Sequence, residues 1–347
     1  MPRPTLGRRI RRRLRPVRAR LREQRTDLRD VLAVRAARRH LDRLDRLDRL
    51  DRLDRRGPRG RPRTGDTAAV LHLYYADVWP ALVPSLERLA AAGVDLYVTL
   101  PRQHAHLAGD IEMALPGTRC VTVPNRGRDV LPFLVVAEHL ADRGYVAALK
   151  IHAKKSLHFG AGDVWRDQMV EQLVPTDPAA LEELVEVLHR SDTGVIGPRG
   201  SYFALSTYWA GNADTVRRLV EPAVTPEALS RLDDPRELGF FAGTMFWTRL
   251  DAIRPLLRQD TLGFVREPTP KDGTLAHALE RAMTVLPELL GRRQYDCDGT
   301  EIATRAVRAD PLPQWYRDAT LAAKAEEADK AAKARRNRDR APGTDPA

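Results

Sequence analysis

Gly144-Tyr145-Val146-Ala147-Ala148-Leu149-Lys150-Ile151-His152-Ala153-Lys154-Lys155-Ser156 is the stretch on which the reading of this chain turns. A Gly punctuator followed by a short apolar run predicts a buried strand over residues 145–152, of the kind found in mostly parallel sheets. Its C-terminal end carries Lys150, His152, Lys154 and Lys155. In open α/β sheets ligands bind outside that end of the strands, so the cluster is expected to meet an anion. The competing reading is a solvated basic loop.

Outward from this strand, apolar runs alternate with helical periods, the signature of an α/β layer fold. Strands are expected over 68–75, 94–100, 119–123, 194–197 and 240–249. Helices are expected over 78–92, 103–115, from 130 through 143, and over 165–174, 178–190, 214–220, 251–258 and 273–291. Gly93 and Pro101 supply stops, and Asp177 an N-cap.

The 347 residues, 43% of them hydrophobic, suffice for one full core and a small module besides. The formal net charge of +11 is unevenly spread: residues 1–63 hold 24 Arg, no Lys and 8 Asp plus Glu, which leaves the remainder at −5. A mildly acidic globular part with no recognisable nucleic-acid module argues against a nucleic-acid binder. Cys120 and Cys297 give neither metal spacing nor a disulfide framework. No apolar run approaches ~18 residues, and the apolar stretch of a signal peptide is missing. A cytoplasmic protein is expected, without metal or cofactor.

Residues 1–40 set Leu14, Val17, Leu21, Leu28, Val31 and Leu32 on a roughly helical repeat among arginines. Such segments lie on anionic membrane surfaces; a nucleic-acid arm or a solvated tail fits the same charge. Over 41–55 the triplet Leu-Asp-Arg repeats five times. Its Asp(i)/Arg(i+4) pairs support an exposed helix, but a period of three turns each leucine about 60° back against a 3.6-residue turn. No straight apolar stripe forms, and the repeat reads as a spacer or weak self-association helix. Gly57-Pro58-Arg59-Gly60-Arg61-Pro62 breaks it. The expected division is an extension over 1–63, an α/β domain over 64–318 and an Ala/Lys/Glu-rich tail over 319–347.

Asn125-Arg126-Gly127-Arg128-Asp129 ends the third strand and opens a helix, where backbone N–H groups favour an anion. Gly127 permits a left-handed turn or the close approach of a ligand. Asp129 is either an N-cap or a carboxylate for a ribose or base. The helix over 273–291 has an apolar stripe of Leu275, Leu279, Ala282, Met283 and Leu286, which puts His277, Glu280 and Arg281 toward solvent or a cleft floor.

Asn-Arg-Gly-Arg-Asp-Val-Leu-Pro-Phe from 125, Leu-Lys-Ile-His-Ala-Lys-Lys-Ser from 149, Phe-Ala-Gly-Thr-Met-Phe-Trp at 241–247 and Asp-Gly-Thr-Leu-Ala-His-Ala-Leu-Glu-Arg at 272–281 together resemble the rhamnan synthesis protein F family. The four blocks occur in that family's order and cover roughly residues 70–295; no single block is specific. The resemblance implies a GT-A-like, Rossmann-type sheet flanked by helices and a glycosyltransferase of bacterial surface polysaccharide assembly, linked to rhamnose transfer. The implied partners are a nucleotide-diphosphate sugar such as dTDP-rhamnose and a lipid-linked or polysaccharide acceptor at the inner face of the plasma membrane. The Arg-rich extension lies outside the pattern. A non-catalytic assembly factor of the same fold is the alternative.

Glycosyl transfer must stabilise a departing diphosphate. GT-A enzymes often do so with a metal on an Asp-x-Asp, where this chain places Lys150, His152, Lys154 and Lys155; fixed cations can serve instead. Metal-independent, inverting transfer is therefore expected, with Lys154 as the leading diphosphate contact and Asn125 to Asp129 beside it. Asp272, either an N-cap or the general base, leads among the catalytic carboxylates, with Glu280 second. Trp165 and Arg166 offer a sugar-stacking face and a phosphate contact, or simple packing. Gly243, Thr244 and His277 complete the sugar and acceptor set, and Arg199 is left between phosphate and solvent.

Overall fold

The computed structural model of the chain describes residues 6–53, 65–153 and 162–302. Its strands are β1 (Thr67–His72), β2 (Asp95–Pro101), β3 (Arg119–Val123), β4 (Ala147–His152), β5 (Thr193–Gly197), β6 (Tyr202–Ala204), β7 (Gly239–Phe241), β8 (Phe246–Arg249) and β9 (Arg293–Asp296). Seven of them form a mixed, mostly parallel sheet in the order β3-β2-β1-β4-β8-β5-β9, and β6 pairs with β7 in a second, two-stranded sheet. The expected α/β class holds. β8 alone runs antiparallel to its neighbours β4 and β5.

The helices are α1 (Leu6–Leu53), α2 (Trp79–Ala91), α3 (Ala108–Ala114), α4 (Val130–Asp142), α5 (Gly162–Leu173), α6 (Pro178–His189), α7 (Ala213–Val220), α8 (Pro226–Ser230), α9 (Leu250–Ile253) and α10 (Leu275–Leu289). Asp177 caps α6 as expected, accepting from the Ala179 N–H at 3.1 Å. The strands are buried on both faces, and their side chains alternate between two apolar layers. Ala69, Leu71, Ala147, Leu149 and Ile151 pack with Leu82, Leu86, Ile111, Leu173 and Leu184. Ala68, Val70 and Ala148 pack on the opposite side with Phe133, Leu134, Leu279, Met283 and Leu286. Lys150 shares that second face, since its Nζ lies 5.8 Å from the Phe133 ring centre.

The structure differs from expectation on three counts. The run 240–249 is two strands in different sheets, because Gly243 (φ 89°) and Thr244 (φ 55°) turn the chain between them. β6 and β9 escape sequence reading, being short and hardly periodic. The third is α1, which does not act as a spacer. Val34, Ala37 and Leu41 are fully buried against the domain. Asp27 and Asp30 pair with Arg126 at 2.5 and 3.2 Å, and with Arg266 at 2.5 and 2.7 Å. Asp45 receives His139 at 2.9 Å and Arg143 at 2.7 Å. The repeat thus contributes Leu41, Asp45 and, at longer range, Asp42 to the fold just where its rotation faces α4. The expected boundary at 57–62, the tail over 319–347, Lys154 and Lys155 lie outside the described residues, as do the side chains of Leu14 and Val17.

Candidate functional site

Strand order sets the location. β1 connects outward through β2 to β3, and the chain then returns through α4 to β4 on the other side of β1. The order reverses between β1 and β4, the crevice where open α/β sheets receive ligands. His72 and His152, the last residues of these strands, stand in register there. An antiparallel strand starts where its parallel neighbours end, so β8 delivers the preceding turn, Gly243 and Thr244, to the same edge. A cavity of about 240 Å³ opens at this point, lined by His72, Tyr74, Tyr75, Asn125, Arg128, Asp129, His152, Thr244, Glu267, Ala276, His277 and Glu280, among others.

The floor is a buried polar network. Lys150 Nζ donates to Asp129 Oδ2 and, at 2.8 Å, to the Thr244 carbonyl. His152 Nε2 donates to the Gly243 carbonyl at 2.9 Å and stands 3.9 Å from Asp129 Oδ2. Burial alone would raise the Asp129 pKa, but the charges of His152 and Lys150 and the Lys150 hydrogen bond outweigh it and hold the carboxyl well below the usual range. Asp129 heads α4 without a side-chain capping bond. Its carboxylate orients Lys150 instead.

His72 Nδ1 lies 3.0 Å from Thr99 Oγ1, whose proton goes to the Leu71 carbonyl at 3.2 Å. The hydroxyl therefore accepts from Nδ1–H, which leaves Nε2 as the acceptor nitrogen. Burial, helped by the Lys150 charge and opposed by Asp129, lowers the His72 pKa to about 4. The imidazole is neutral near pH 7.

The wall is built by Arg128, His277, Glu267 and Glu280. Arg128 Nη1 lies 2.7 Å from His277 Nε2. A guanidinium only donates, so Nε2 accepts from it; Nδ1 faces Thr274, 2.8 Å from its Oγ1 and 3.4 Å from its backbone N–H. Burial and the Arg128 cation lower the His277 pKa. Glu267 is 3.9 Å from Arg128 Nε. Glu280, three residues beyond His277 on α10, opens to the same cavity.

Several expected residues stand elsewhere. Arg126 is turned into α1 by Asp27 and Asp30 and donates to the Thr261 carbonyl at 3.2 Å. Gly127 is needed by packing: a Cβ there would fall 2.5 Å from the Phe264 ring. Lys150 is buried beneath the cavity, against Asp129. Asp272 does not line it; its carboxylate is bridged by Asn212 Nδ2 at 3.0 and 3.1 Å and approached by Arg281 at 3.4 Å, and Thr274 is the residue that caps α10. Trp165 packs on Gly243 and lines a second cavity of about 410 Å³ with Gln168, Gln172, Arg199 and Ser201. Arg166 is buried and pairs with Asp167 at 2.7 Å. His72 and Glu267 are additions. The rule that singled out His152 applies equally to the end of β1; Glu267 stands in a loop with no signal of its own.

The sequence profile described as rhamnan synthesis protein F matches residues 52–289, more than half of the chain. The chain belongs to the rhamnan synthesis protein F family. This family member is also 31% identical over 255 residues to the protein called "Uncharacterized protein WxcX" in two Xanthomonas campestris pv. campestris strains, B100 and ATCC 33913. The match takes 70% of the chain but about a third, 34%, of those relatives. No solved structure matches. Membership associates the chain with rhamnan, and so polysaccharide, synthesis. Among the described residues of this family member no helix is long and apolar enough to cross a membrane.

Proposed function

We propose that this rhamnan synthesis protein F family member is a glycosyltransferase that moves a sugar, rhamnose by the family's description, from a nucleotide diphosphate to a growing surface glycan. The observation that carries the reading is the cavity at the β1/β4 reversal, lined by a cation, Arg128, and by three carboxylates, of which Asp129 is hydrogen-bonded to Lys150 and Glu267 faces Arg128 at 3.9 Å, so Glu280 is the choice for the base. In a single displacement, Glu280 accepts the proton of the acceptor hydroxyl as its oxygen bonds to the anomeric carbon. The bond from that carbon to the diphosphate oxygen breaks, and the nucleoside diphosphate leaves with the electron pair. Arg128 meets the charge that develops on it, with Lys154 and Lys155 following β4 in sequence. The outcome is inversion, without a metal. Asp272, bridged by Asn212 and Arg281 outside the cavity, is a positioning group for α10 in this reading, so Glu280 takes precedence over it. The cavity beside Trp165 suits the acceptor, since a ring stacked on indole needs an open aromatic face.

A thermal-shift screen of nucleotide sugars, including dTDP-rhamnose, tests donor binding, because a ligand that binds only the folded state raises Tm by mass action. Turnover of the donor so found is expected to fall about 10²–10⁴-fold in Glu280→Gln, the range of a lost general base, and to survive EDTA. Donor binding without turnover in any condition would assign the chain to non-catalytic assembly. Full turnover in Glu280→Gln, with loss in Asp272→Asn, would return the base to Asp272.

A further inference from the structure

We propose that the outward face of α1 is a docking surface for an anionic lipid bilayer. The charges of this helix are sorted by its fold. Three of its aspartates, Asp27, Asp30 and Asp45, are taken inward by Arg126, Arg266, His139 and Arg143 of the domain, while Asp42 stays half exposed at 3.7 Å from His139. Left outward and exposed are Arg20, Arg22, Arg25, Arg29, Arg35, Arg39, Arg43 and Arg46. Glu23 and Asp42 are the exposed acidic residues over 20–47, so a helix of mixed composition presents a predominantly cationic surface there.

Apolar side chains run along that surface. Leu21, Leu28 and Leu32 are 52%, 59% and 46% exposed, and their spacing of seven and four places them on one face. The buried face, marked by Val34, Ala37 and Leu41, lies roughly opposite on a 3.6-residue turn. A stripe of leucines flanked by arginines matches the boundary of a bilayer, where acyl chains take the leucines and anionic headgroups the guanidinium groups. A nucleic acid would satisfy the arginines and leave the leucines in water. The helix is also tied to the cavity rim. Arg126 and Arg266, held by Asp27 and Asp30, lie within two residues of Arg128 and Glu267 in the cavity wall. A lipid-linked acceptor in the same membrane would then be presented next to the cavity, a consequence that rests on the sugar-transfer reading; the docking does not.

The test is flotation of the full chain with phosphatidylcholine vesicles, with and without phosphatidylglycerol, at roughly 0.15 M salt. The chain is expected to float with the anionic vesicles alone. Each pair Arg25→Gln and Arg29→Gln or Arg39→Gln and Arg43→Gln should lower partitioning at least about tenfold, at about fivefold per charge. The triple variant Leu21→Ser, Leu28→Ser, Leu32→Ser should do so to a similar extent, with an unchanged melting temperature because these side chains are exposed. Unaltered flotation of the leucine variant would overturn the proposal. So would duplex RNA or DNA bound at the same salt by a chain that ignores vesicles, or a dimer that dissociates when the leucines are removed while flotation never occurs.

Discussion

Asp129 and Asp296 stand at the same edge of one sheet, after strands that point the same way, and their environments drive them apart. Asp129 sits over Lys150 and near His152, which hold it ionised in spite of burial. Asp296, at the end of β9, is pushed up to about 6 by burial and by the charge of Asp298, with Arg199 opposing weakly. Burial is common to both; the presence of a buried cation is the difference. An ionised network at one end and a carboxyl that keeps its proton up to about pH 6 at the other show that the sheet edge is not uniformly suited to charge. The end with the ionised network is the one where the strand order reverses.

Removing the cation is the strongest way to break this contrast. Lys150→Met strips Asp129 of its hydrogen-bonded cation and leaves only His152, 3.9 Å away, beside it; a loss of about 3–5 kcal/mol in denaturant unfolding is expected, of which the double variant Lys150→Met, Asp129→Leu recovers most. Equal losses in the two would mean that Lys150 matters by packing alone. Next in size is the acid response of His72, whose folded pKa of about 4 lies below its unfolded 6.5. The unfolded chain binds this proton first, so stability falls as pH drops from 6.5 toward 4, by about 3 kcal/mol at most. His72→Asn keeps an N–H for Thr99 and should flatten the unfolding free energy over that window. Asp129, with its depressed pKa, loses its contribution only at lower pH. The smallest effect is at Asp296. Its folded pKa is raised, so the contribution is intact below pH ~4 and is lost as pH rises through 6. Asp296→Asn should raise Tm by about 2–4 °C at pH 8, for roughly 1 kcal/mol after allowing for solvent screening, and leave it unchanged at pH 4. A shift of equal size at both pH values would remove the assigned cause.

The half of the fold that makes the cavity was legible because its strands end in polar residues. An apolar run followed by Lys150 and His152 can be placed at a sheet edge from sequence, and so could the loop 125–129 that opens α4. What those side chains do there was less accessible. Lys150 looked like a ligand cation, but the alternation along β4 turns it beneath α4, where Asp129 takes it. The position of Asp272 outside the cavity depends on Asn212, which lies 60 positions before it and is recruited only by the packing of α7 on α10. The docking of α1 was hidden for a similar reason. Its inward face comprises Val34, Ala37 and Leu41, too short a stripe to stand out among 24 arginines, and its long-range ion pairs have no local signature. The split of residues 240–249 required a left-handed threonine, which no strand propensity anticipates.

Among the described residues, Arg128 and Thr244 are the non-glycine positions with a positive φ, 55° in each case, and both border the cavity. A glycine would occupy either conformation without the clash of a Cβ, relieving about 1 kcal/mol per site. Sturdiness and the cavity's polar equipment are thus in opposition at these two places. A selection for heat tolerance alone would tend to bleach the pocket of its guanidinium and its hydroxyl, while a selection for activity would have to tolerate a less relaxed backbone.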